Sequence, residues 1–90
     1  MMDSVTNSEE YKYYLLQIQK FLLAAENGNL EEIIVRVNEG ADPTLYLHDK
    51  NTALHYSAKN AHLDIIQYLV IERKDLNVDV NFQNLRIKFS

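Results

Sequence analysis

The stretch Thr52-Ala53-Leu54-His55-Tyr56-Ser57-Ala58 carries the fold of this chain. Thr52 is a helix-capping residue type, since its side-chain oxygen can accept a bond from a backbone N–H that the first turn leaves free. A helix is therefore expected from Thr52 to about Asn60. Directly after it, Leu63-Asp64-Ile65-Ile66-Gln67-Tyr68-Leu69-Val70 places apolar residues at Ile65, Ile66, Leu69 and Val70. These three- and four-residue steps give one face of a further helix, expected from about Leu63 to Arg73. The short break at Asn60-Ala61-His62 makes the two an antiparallel pair.

Upstream, the same pattern occurs once more. Asn7 with Glu10 three positions later reads as a capping box. Tyr11, Tyr14, Leu15, Ile18, Leu22 and Ala25 then draw one apolar stripe, widened by Leu16, Phe21 and Leu23. Tyr11 and Tyr14 are expected in the core, and Tyr13 falls elsewhere on the helix. Gly28 ends this helix, being free to take the left-handed conformation. Asn29 opens the next with Glu32 in the capping-box position, Leu30, Ile33, Ile34 and Val37 form its apolar side, and Gly40 stops it. Residues 41–50 connect the pairs with turn chemistry at both ends.

Sliding the chain against itself by 33 residues puts Ala25 on Ala58, Gly28 on Ala61, Leu30 on Leu63, Glu31 on Asp64, Ile33 on Ile66 and Val37 on Val70. A fixed period of this size marks a solenoid, whose units bury their apolar faces by stacking on one another.

The wording of the second unit makes the period specific. Thr52 to Ala58 resembles the ankyrin signature T-P-L-H-x-A, with Ala53 in place of proline, and Ala61-His62-Leu63-Asp64-Ile65-Ile66-Gln67-Tyr68-Leu69-Val70 is similar to the family's G-H-L-E-[IV]-V-x-x-L-L. Gly40-Ala41-Asp42 matches its G-A-D, and Phe21 to Leu30 looks like a capping first repeat. The resemblance covers about residues 17–84. It implies an all-α, ankyrin-type solenoid of two stacked antiparallel helix pairs, joined by a hairpin-like loop over residues 42–51. The expected organisation is a flexible tail at 1–8 and one domain at 9–90, made of a capping-type repeat 9–41, a full repeat 42–78 and an incomplete third repeat 79–90. Four departures stand out: Leu47 replaces the usual Asp, Lys50 and Arg73 replace glycines, and Lys74–Val78 looks inserted before Asp79-Val80-Asn81.

Composition narrows the function. Ninety residues, 47% hydrophobic and 24% charged, make one small folded domain, and the count of two glycines and one proline favours helices. The absence of cysteine excludes disulfides and thiolate zinc sites. The N-terminus lacks the basic start and apolar run of a signal peptide, and no stretch reaches the ~18 apolar residues of a membrane span. The net charge of −4 with scattered basic residues argues against nucleic acid. The expected location is the cytoplasm, with delivery into a host cell if the source is a parasite or symbiont.

His48, His55 and His62 recur every seven residues, but a loop and a helix break separate them, so no metal site is expected. The resemblance assigns His55 and His62 to hydrogen bonds within and between repeats, and leaves His48 at a hairpin tip. The chain has no G-x-S-x-G, no phosphate-cradling glycine loop and no H-E-x-x-H, so neither catalysis nor a cofactor is expected. The function implied is that of a protein–protein interaction module: an adaptor, an inhibitor or an effector-type binder. Carried over from the family, its partner surface is Glu26, Asn27, Tyr46, His48, Asp49, Asn51, Lys59 and Asn60. The alternative is a self-associating protein, because two repeats fall short of the three or more a stable stack usually needs. Its homodimer surface would be the helix 64–71 face with the alternating tail 85–89.

Overall fold

A computed structural model describes the backbone of residues 2–78 and the side chains of residues 9–78. Four α-helices appear in chain order: α1 (Met2–Asn27), α2 (Leu30–Asn38), α3 (Ala53–Lys59) and α4 (Leu63–Gln67). A π-helical turn, Tyr68–Glu72, prolongs α4, and a short 3-10 turn, Lys74–Leu76, follows. No strand occurs among the described residues. The incomplete third repeat at 79–90 and the tail 85–89 lie outside them.

Each helix starts and stops for a local reason. The Asn29 side chain accepts a bond from the Glu32 amide at 3.2 Å, capping α2. Gly40, at φ +102°, closes it, with the Gly40 and Ala41 amides donating to the Val37 and Arg36 carbonyls. At α3 the capping box has an imidazole where an acid is usual: the Thr52 amide donates to His55 Nδ1 at 3.1 Å.

Packing follows repeat logic. α1 packs on α2 and α3, α3 on α4, and α2 on α4, so the first helices stack on each other and the second helices do likewise. Small buried residues, Ala24 and Ala25 on α1 and Ala53 and Ser57 on α3, let the first helices approach closely. Phe21, Leu22, Ile33, Val37, Ile65, Tyr68 and Leu69 fill the core.

Two expectations need correction, and one departure from the family pattern finds its account. α1 takes in residues 2–8 rather than leaving them as a tail, because residues 1–27 contain neither glycine nor proline to stop a helix. Tyr11 and Tyr14 are 62% and 52% exposed, and Leu16 and Leu23 are exposed too. α1 runs 26 residues against nine in α2, so its N-terminal half extends past the partners that would cover it. Finally, Arg73 avoids the left-handed conformation, at φ −111°. The π turn takes up the extra backbone instead, with the Arg73 amide reaching back five residues to the Tyr68 carbonyl. The left-handed residue comes later, at Asn77.

The α4 region is also less apolar outward than its sequence suggests. Ile65, Ile66, Tyr68 and Leu69 are buried within the chain, while Leu63 and Ile71 remain exposed.

Candidate functional site

The connection between the helix pairs is held by its own polar residues. Asp42 Oδ1 accepts from both the Thr44 amide and the Thr44 hydroxyl, fixing the first bend. The backbone then runs without regular structure to a tip where the Lys50 amide donates to the Leu47 carbonyl. Lys50 takes φ +61°, a left-handed conformation that glycine, the residue usual at this position, adopts without strain.

Asp49 braces this tip against α3. Its carboxylate accepts from the Asn51 amide and from the Tyr56 hydroxyl. The Tyr56 bond holds the Asp49 carboxyl below its ordinary value, and the same bond, with burial and the charges of Asp49 and Glu26, pushes the Tyr56 phenol up to about 12. Both shifts describe a phenol pinned to an ionised carboxylate.

The loop and α1 enclose a groove. Its wider part, about 640 Å³, lies between Tyr11, Lys12, Leu15, Leu16 and Gln19 on the helix and Tyr46, Leu47 and His48 on the loop. Sharing Gln19, Leu47 and His48, a second part of about 310 Å³ continues along α1 past Leu22, Leu23 and Glu26 to Asp49 and Tyr56. Apolar and polar side chains share its lining, with Leu22 buried and Leu15 and Leu47 half-buried.

Of the eight candidate residues, Glu26, Tyr46, His48 and Asp49 line this groove. Asn27, Lys59 and Asn60 are exposed outside its lining, and Asn51 is half-buried. Asn60 is partly engaged, since its side-chain amide donates to the Tyr56 carbonyl. The exposed lining residues Tyr11, Leu16 and Leu23 are absent from the sequence-derived set. Periodicity marks them as apolar but carries no sign that the helix outruns its cover.

Two histidines position the groove without lining it. The Thr52 amide can only donate, so His55 Nδ1 is unprotonated, and Thr52 Oγ1 lies 3.0 Å from the same nitrogen. Burial holds the His55 ring below its ordinary 6.5, against the pull of the Asp49 charge. His62 Nε2 donates to the Glu26 carbonyl at 2.8 Å, joining the second repeat to the end of α1. Its ring rests against Gly28, at φ +76°, where a Cβ would come within 2.6 Å of two ring atoms. On the other edge of the stack, Arg73 reaches Asn38 and the Tyr68 hydroxyl while bridging both oxygens of Asp75. Among the described residues no group of three or more His, Cys, Asp or Glu is placed to hold a metal ion.

Comparison with known proteins agrees with this architecture. A family model of ankyrin repeats (3 copies) matches residues 21–86. An ankyrin repeat protein of fowlpox virus (strain NVSL) is 40% identical over 62 residues, which is 68% of this chain. The chain spans only 13% of that relative's length. No solved structure matches it.

Proposed function

The chain belongs to the ankyrin-repeat family, whose repeats generally mediate protein–protein interaction, and on that footing we propose that it binds another protein in the groove between α1 and the loop, without catalysis. The observation that carries this reading is the exposed set Leu16, Leu23 and Tyr46 inside a groove rimmed by Glu26, His48 and Asp49. Exposed apolar side chains set among polar ones supply contact area together with orientation, a combination common at protein interfaces. Asn27, Asn51, Lys59 and Asn60 extend the proposed contact beyond the groove. The shifts at Asp49 and Tyr56 come first from the bond between them rather than from enclosure in a deep pocket, which favours a bracing over a catalytic role.

We place its action in the cytoplasm, which the cysteine-free composition supports. No helix among the described residues is long and apolar enough to cross a membrane.

The test is affinity capture with matched variants. Leu23→Glu with His48→Glu is expected to lose the specific partner while melting as the parent does. Leu63→Glu with Ile71→Glu, on exposed positions away from the groove, is expected to keep it. A partner retained by the first pair and lost by the second places the interface on α4 and refutes the proposal.

A further inference from the structure

Along the exposed side of α1, Lys12, Leu16, Gln19, Leu23 and Glu26 follow one another at steps of four, three, four and three. Spacing of this kind keeps one line of side chains facing a second helix over several turns. All five line the groove, and Leu16 and Leu23 are 44% and 51% exposed. This line is separate from the stripe through Ile18, Leu22 and Ala25 that packs into the core.

The order of residue types along it is symmetric about its centre. Gln19 stands in the middle, a leucine on each side, and opposite charges at the ends. Lys12 and Glu26 are each seven residues from Gln19, about 10.5 Å along the axis. Two such lines laid antiparallel bring each Lys12 to the other chain's Glu26 and the two Gln19 side chains together. Each Leu16 then meets a Leu23 with a stagger of about 1.5 Å, small against the width of a leucine. In parallel register the same line sets lysine against lysine and glutamate against glutamate, so charge selects the antiparallel form.

The end of α1 adds an independent reason. Its last turn carries no basic residue, so Glu26 adds to the negative end of the helix dipole. Neither Lys12 nor Glu26 has an ion-pair partner among the described residues, where the ion pairs are Arg36–Glu32 and Arg73–Asp75. A lysine arriving from a second chain supplies the missing cation.

We propose that this seam is a homodimer surface, on which two copies of the chain pack their α1 helices antiparallel about a two-fold axis at Gln19. Two-fold symmetry makes every contact occur twice. The line spans about 21 Å of helix, which places the interface at the low end of the size range, where weak and concentration-dependent association is expected. The second copy occupies the groove assigned above to a partner, so dimerisation and partner binding exclude each other. The inference stands on the seam alone, independent of the partner reading.

The test is sedimentation equilibrium of the full chain from about 1 to 300 µM, a range that covers weak micromolar association. Lys12→Glu is expected to raise the dissociation constant about tenfold, because two attractive pairs become repulsive. Lys12→Glu with Glu26→Lys restores it to within about threefold. Because the chain has no cysteine, Gln19→Cys places one thiol per copy at the axis, and the variant should form an intermolecular disulfide on mild oxidation, which Gln67→Cys should not. A parent chain monomeric across the whole range overturns the proposal. So does a dimer indifferent to Lys12→Glu whose Gln19→Cys form stays uncrosslinked. A chain that dimerises as described but binds its protein partner equally well as a locked dimer keeps this inference and removes the groove from the partner reading.

Discussion

Replacing Gly28 by alanine tests how the two repeats are joined. Gly28 sits at φ +76°, and a Cβ there falls 2.6 Å from Cε1 and Nδ1 of His62, inside any real contact. Two costs arise. The left-handed backbone with a side chain costs about 1–2 kcal/mol. The displaced ring gives up its bond to the Glu26 carbonyl, worth roughly 0.5–1.5 kcal/mol. Alanine also reduces the freedom of the unfolded chain, returning about 0.4–1 kcal/mol. The net loss is about 2 kcal/mol, or roughly 8–16 °C in melting temperature for a domain of this size. Urea titration of Gly28→Ala, His62→Ala and the double variant separates the terms. In the His62→Ala background the ring is gone, so Gly28→Ala should cost about 1 kcal/mol less than in the parent. An equal cost in both backgrounds would falsify the contact between the turn and the ring.

Other expectations use the same structure. Ala61 and Lys50 hold φ +59° and +61°, so glycine at either position should stabilise by about 0.5–1 kcal/mol once its greater unfolded freedom is deducted; a loss of stability at both would show that neither backbone is strained. Thr52→Ala removes the hydroxyl next to His55 and should cost roughly 0.5–2 kcal/mol by denaturation, with Thr52→Ser recovering most of it. The His55 value lies below 6.5 in the folded chain, so the unfolded chain binds the proton first as pH falls. The contribution is complete above 6.5 and is lost as pH drops through the lower folded value. Stability measured at pH 7.5 and pH 5 should therefore fall, and His55→Gln should flatten the difference; an unchanged slope in that variant assigns the acid sensitivity elsewhere.

Much of the fold is written in local chemistry. The Asn29 cap and the Thr52–His55 box depend on residues within a turn of each other, and the 33-residue register that puts Ala25 on Ala58 and Val37 on Val70 is visible by comparing the chain with itself. The groove is harder to see because it depends on relative lengths. Leu16 and Leu23 look like core residues when only their periodicity is known. What exposes them is position: Leu16 lies where the 26 residues of α1 outrun the nine of α2, and Leu23 lies on the side of α1 away from the buried Leu22 and Ala25. The π turn is hidden for a related reason: Arg73 announces that a glycine is missing, and only the path of the chain shows that the backbone widens rather than strains. Tyr46, His48 and Asp49 were reached differently, through the family resemblance, and the structure sets them in the lining of the groove. The paired role of Asp49, bracing Tyr56 while facing the groove, is a property of the folded contact.

The bond from His62 ends on a main-chain oxygen of residue 26, not on the glutamate side chain. Every amino acid carries that oxygen. The joint between the repeats therefore does not read the identity of residue 26, and the side chain there can be exchanged without loosening the stack. Cohesion at this place is entrusted to the backbone and leaves the exposed side chain out of the joint, so the surface at this position can diversify while the scaffold beneath it stays the same.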